Sequence, residues 1–225
     1  MTSSTSVALS RDRKKILQRR IRWIVAVTIG YNLIEAAVSI AAGSAASSTA
    51  LIGFGLDSFV EVLSAAAVAW QFTRKDPERY EKPVLRVIAV AFFILAAYVT
   101  TSAILSLTGV LKAEHSAIGI VVTALSVIVM PVLSLVERHT GRELGSATAV
   151  ADSKQTLICT YLSAAVLIGL LLNIVFGWAW ADPIAALVIV VFAVREGLEA
   201  LKGETDIPVG LLLGDVEDAH EEAAS

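Results

Sequence analysis

A single cysteine, Cys159, excludes any disulfide within the chain, and no CxxC pair or Cys/His cluster offers a structural zinc site. HExxH is absent and no Ser/His or Cys/His pair shares a depth, so a membrane enzyme is disfavoured. The three histidines, His115, His139 and His220, fall in predicted loops or the tail, which leaves the apolar segments without an imidazole. Charge is scarce too. Only 17% of the 225 residues are Asp, Glu, Lys or Arg, 56% are hydrophobic, and the mean hydropathy is +0.74. An ordinary soluble domain is not this apolar, and the chain reads as an integral membrane protein.

Six apolar segments, at 21–43, 49–72, 84–108, 118–136, 148–174 and 182–201, each approach the roughly 20 residues that a spanning helix needs. The expected fold is all-α, a polytopic membrane protein with six transmembrane helices. An even number of spans puts both termini on one side. Basic residues cluster in the first 22 residues, in the 73–86 and 137–147 loops and after the last span, whereas only Lys112 falls clearly on the other side. That asymmetry predicts an N-in, C-in protein of the cell membrane. Three regions follow: a cytoplasmic basic tail at 1–20, a transmembrane body at 21–203 and an acidic cytoplasmic tail at 204–225. The first reads as a topology signal, not a nucleic-acid site, and the last as a solvated acidic segment. Trp178 and Trp180 suit an interfacial belt.

Within this apolar frame, Leu51–Trp70 carries Asp57 and Glu61 near its middle. An acidic group at membrane depth costs roughly 2.5–3.5 kcal/mol on insertion scales, and such groups usually mark an ion or substrate path. The four-residue spacing places both on one helix face, about one turn apart. No lysine or arginine lies in the outer half of any span to neutralise them, so a structural ion pair is hard to build. At about 1.5 Å rise per residue, Asp57 lies roughly 14 Å and Glu61 roughly 20 Å below the outer face. On the antiparallel fifth segment, Cys159 and Gln155 lie roughly 12 and 18 Å below it. Asp57 is therefore expected level with Cys159, and Glu61 with Gln155, as four ligands around one ion. Asn32 and Glu35 reach similar depths on the first segment, with Asn32 able to act as support or as helix-packing glue. Asp152, one turn from Gln155, is placed to guide a cation. Asp182 before Pro183 reads as a cap of the last helix.

These residues resemble the cation diffusion facilitator family over the whole six-helix span. The carrying stretches are GFGLDSFVE around Asp57 and Glu61, Asn32 through Gly43, and WADPIAALVIVVFAVREGLEALKG. The resemblance implies a homodimeric exporter of divalent transition metals, driven by proton antiport. It departs from the family in two places. Where the fifth helix usually reads ADAxHxxxD, this chain has ADSKQTLIC, which keeps Asp152 but puts Gln155 and Cys159 at the histidine and aspartate positions. The family's C-terminal cytoplasmic domain is also lacking, so a dimer would have to be held by helices or loops.

The expected function is thus efflux of a divalent metal ion, proton-coupled, with Asp57, Glu61, Cys159, Gln155, Asp152 and Asn32 as the metal set and no prosthetic group. Carboxylate and amide oxygens suit harder ions such as manganese, while a thiolate favours zinc or cadmium. Family frequency favours zinc, with cobalt and iron also in range. The expected partners are the bilayer and a second copy of the chain. The competing readings are a transport-inactive scaffold or metal-responsive subunit and a carrier of organic cations.

Overall fold

In a computed structural model the chain is a bundle of six α-helices, described for residues 11–72, 77–144 and 147–202. They are α1 (Arg11–Ala45), α2 (Thr49–Phe72), α3 (Pro77–Leu107), α4 (Ala117–Leu144), α5 (Ala147–Phe176) and α6 (Ala181–Lys202). No strand occurs among the described residues. Each predicted apolar segment lies on one helix. The acidic tail, Arg74, Lys75 and the first ten residues lie outside the described residues.

Helix α1 starts at Arg11, well before the apolar segment that begins at residue 21. Leu17, Ile21 and Val25 recur every fourth residue and are buried, while Lys15, Arg19 and Arg20 on the other faces are exposed. The basic stretch is therefore the solvated face of a helix whose apolar stripe docks beside Leu144 and Ala149. Arg13 Nε also donates to Glu143 Oε1 at 2.9 Å. Exposed as it is, that pair contributes at most about 1 kcal/mol.

Five helices, α1 to α5, are long and apolar enough to cross a bilayer. Helix α6 is not, because Arg195, Glu196, Glu199 and Lys202 crowd its last turns and its uninterrupted apolar run, Pro183 to Val194, spans only about 18 Å. Large apolar side chains such as Ile34, Ile94, Ile128 and Val191 face outward, as a lipid-immersed bundle requires. Trp178 and Trp180 stack with ring centroids 5.3 Å apart beside Phe176 at one end of the bundle.

That end, here the distal face, is tightly closed. Leu51, Phe54, Val99, Leu170 and Ile189 are at most 2% exposed behind it. Helices α1 and α2 approach so closely that a Cβ on Gly43 would lie 2.7 Å from the Ile52 backbone nitrogen. Small residues permit that approach in membrane bundles. The Glu114 N–H donates to the Ala46 carbonyl at 2.8 Å, and Asn173 Nδ2 to the Ala113 carbonyl at 3.1 Å, which ties the distal turns together.

Asp182 performs a cap, but not of its own helix. Its carboxylate accepts the Ser48 hydroxyl and, at 3.2 Å, the Ala50 N–H, while Ser48 Oγ accepts the Leu51 N–H at 3.1 Å. Ser48 is thus the N-cap of α2, and Asp182 reinforces it from α6. The close packing of the two helix starts explains the change of target, since Asp182 is fully buried and α2's first N–H groups have no water to bond. Asp182→Ala should therefore lower stability by about 1–3 kcal/mol through the lost cap and the stranded donors. Denaturation of the purified protein in mixed micelles reads this loss, and Asp182→Asn should cost less.

Candidate metal centre

The opposite end, the terminal face, gathers the start of α1, the ends of α2, α4 and α6, and the starts of α3 and α5. A cavity of about 310 Å³ opens there. Exposed Lys154 and Arg195 mark its rim, together with Glu199, which accepts from Arg195 Nε at 2.7 Å. Apolar Val25, Ile29, Ile88, Phe92 and Met130 line its walls. Deeper in, Asn32, Glu61, Gln155 and Cys159 converge from three helices.

Glu61 is the centre of this group. Asn32 Nδ2 donates to its Oε2 at 3.1 Å, and Gln155 Nε2 to its Oε1 at 3.4 Å. The Cys159 thiol also faces it, 3.1 Å from Oε1 and 3.4 Å from Oε2. The depth pairing of Glu61 with Gln155 is thus found, but Cys159 meets Glu61 and not Asp57. Helical side chains lean toward the N-terminus of their own helix. On α2 that carries Glu61 toward the distal face, and on the antiparallel α5 it carries Cys159 the other way, so the two meet between their backbone levels.

Asp57, one turn distal on the same α2 face, is 5% exposed and does not line the cavity. Neither Asp57 nor Glu61 forms an ion pair among the described residues. Asn32 Oδ1 is buried without a hydrogen-bond partner, an oxygen donor left over beside Glu61. Asp152 lies on α5, but its side chain is outside the described residues. No three His, Cys, Asp or Glu side chains stand together to hold a metal among the described residues. What does converge is one carboxylate, two amides and one thiol.

Two acids of the region are absent from the sequence-derived set. Glu196 lines the cavity from α6. It lies nearly four turns beyond the buried Asp182, so its helical phase puts it on the inward face of α6, a signal available in the spacing. Glu35 on α1 is 3% exposed and accepts the Ser58 hydroxyl at 2.8 Å and the Ser126 hydroxyl; Tyr31 OH lies 2.9 Å from Ser126 Oγ. Its depth was evident from the sequence, whereas its serine partners sit in apolar runs that give no sign of their role.

The family model of the cation efflux transmembrane domain matches residues 25–207. No curated protein matches the chain. The match takes in the greater part of α1, all of α2 to α6 and every residue converging on Glu61. On that coverage, the chain belongs to the cation efflux family, multi-pass membrane proteins that transport metal cations and are not enzymes.

Proposed function

We propose that this chain exports a divalent transition-metal ion, taken up through the terminal-face cavity and bound at Glu61, in exchange for protons. The observation that carries the reading is Glu61 itself, an acidic side chain at membrane depth, served by donors from α1 and α5 and by no basic group among the described residues. Groups of that kind mark ion paths. Basic residues near the terminal face, among them Lys15, Arg19, Arg20, Arg86, Arg138 and Arg142, favour its being cytoplasmic, which makes the open cavity the loading side.

In this reading the donors change partners when the ion arrives. Glu61 gives carboxylate oxygen, Cys159 a sulfur, and the amides of Asn32 and Gln155 turn their oxygens inward. Asn32 Oδ1 already lacks another partner. Asp57 lies one turn further along the path and receives the ion as the distal side opens, while Asp152 supports Gln155 from the neighbouring turn. Water completes the shell, since about 310 Å³ exceeds the roughly 30 Å³ that one water occupies. A carrier is served by such an incomplete cage, because it must release what it binds. Zinc is the first ion to test, given the soft donor at Cys159 and its frequency in the family. Metal binding and protonation compete for the same carboxylates, and that competition is the source of proton coupling.

Two measurements check this. In proteoliposomes carrying a zinc-sensitive dye, Glu61→Gln should reduce the initial flux at least about 100-fold and Gln155→Ala about tenfold, within the span seen when metal-site partners are lost. Saturable binding without flux in the wild type would instead favour a transport-inactive metal-responsive subunit. Collapse of the pH gradient should slow the wild type. Separately, zinc should slow alkylation of Cys159, and Glu61→Gln should remove that protection. Equal alkylation rates with and without zinc would take Cys159 out of the site.

A further inference from the structure

Glu35 sits apart from the cavity in surroundings unlike those of Glu61. In this arrangement Glu61 faces amide NH₂ groups, which donate but do not accept until the amides turn, and the Cys159 thiol, beside a cavity open to a cation. Glu35 faces two serine hydroxyls, which do both. Each hydroxyl also has a second acceptor in reach. Ser58 Oγ is 3.2 Å from the Phe54 carbonyl, and Ser126 Oγ is 3.1 Å from the Val122 carbonyl. An ionised Glu35 accepts both hydroxyls. A protonated Glu35 donates to one of them, and that serine turns its own hydrogen to the backbone carbonyl. Every polar atom of the network is satisfied in both states, so a change of charge strands no buried hydrogen-bonding group.

The charges around it require such a group. Titratable groups facing Glu35 are the Tyr31 phenol on α1, Asp57 and Glu61 on α2 and Cys159 on α5, while α4 presents the Ser126 hydroxyl and no charge at this level. Glu196 on α6 adds another acid toward Asp57 and Glu61. All of them are acids and none is a base. Three carboxylates buried together without a cation are too costly to remain ionised at once, so the ion-free bundle must hold at least one proton.

We propose that Glu35 is a proton-binding site distinct from the cation position, protonated in the ion-free protein and releasing its proton to water as a divalent ion reaches Glu61. On release the Glu35 O–H bond breaks, the proton goes to solvent, and the serine hydrogen swings from the backbone carbonyl to the new carboxylate. The exchange with an ion rests on the transport reading above; the proton site itself does not.

The test uses the full chain in detergent and the isosteric Glu35→Gln. Without metal, infrared difference spectra between neutral and alkaline pH should show the loss of a protonated-carboxyl band in the wild type that Glu35→Gln lacks. A band equally strong in both overturns the proposal, whether or not the protein moves zinc. In weakly buffered zinc titrations, Glu35→Gln should keep zinc binding but release about one proton fewer per ion. An unchanged proton count with binding retained also overturns it. If Glu35→Gln does not fold, Ser58→Ala with Ser126→Ala keeps the carboxyl and removes both alternate partners. That variant should shift the midpoint of the band's pH titration, and an unshifted midpoint counts against the proposal.

Discussion

An acidic group in hydrocarbon has three ways to persist: it pairs with a base, binds a cation or keeps its proton. Glu61, Asp57 and Glu35 share the middle of this bundle, and no lysine or arginine pairs with them among the described residues. The first way is closed, and the bundle is arranged around the other two. Glu61 stands at the cavity, with the amide NH₂ groups of Asn32 and Gln155 and the Cys159 thiol directed at it. Glu35 stands away from the cavity, between the Ser58 and Ser126 hydroxyls, the position proposed for a proton. Asp57 lies one turn from Glu61 on α2.

The rest of the fold keeps that arrangement one-sided. Small residues let α1 and α2 touch near the distal face, and the Ser48–Asp182 cap fastens the starts of α2 and α6. Packing there is dense, and the cavity that Glu61 lines opens at the terminal face. Several serine and threonine side chains within the spans return their hydroxyls to their own helix, as Ser64 does to the Val60 carbonyl at 2.8 Å and Ser163 to the Cys159 carbonyl at 2.7 Å. Those hydroxyls place no unpaired polar group against lipid. The Ser58 and Ser126 hydroxyls have two acceptors in reach, a carbonyl of their own helix and Glu35.

Hydropathy made the six helices legible, and five of them carry the span length that hydrocarbon imposes, whereas the charged last turns of α6 leave it short of one. The start of α1 was not, since a short amphipathic stripe of Leu17, Ile21 and Val25 is masked by the basic residues around it. Depth arithmetic brought Glu61 to Gln155, but it treated side chains as lying level with their backbones and so did not anticipate the contact of the Cys159 thiol with Glu61. The cap at Asp182 was legible as chemistry and not as address, because a carboxylate's partner helix is a matter of packing. Glu35 showed its depth but not its serines, which look like any small residues in an apolar run.

Everything rests on Glu61 being the place where the ion binds, and X-ray absorption at the zinc edge reports that site directly. Zinc-loaded wild-type protein should show oxygen or nitrogen neighbours at about 2.0–2.2 Å together with one sulfur at about 2.3 Å. The sulfur contribution should vanish in Cys159→Ser, and Glu61→Ala should abolish the signal. A zinc shell identical in Glu61→Ala and the wild type would contradict the account.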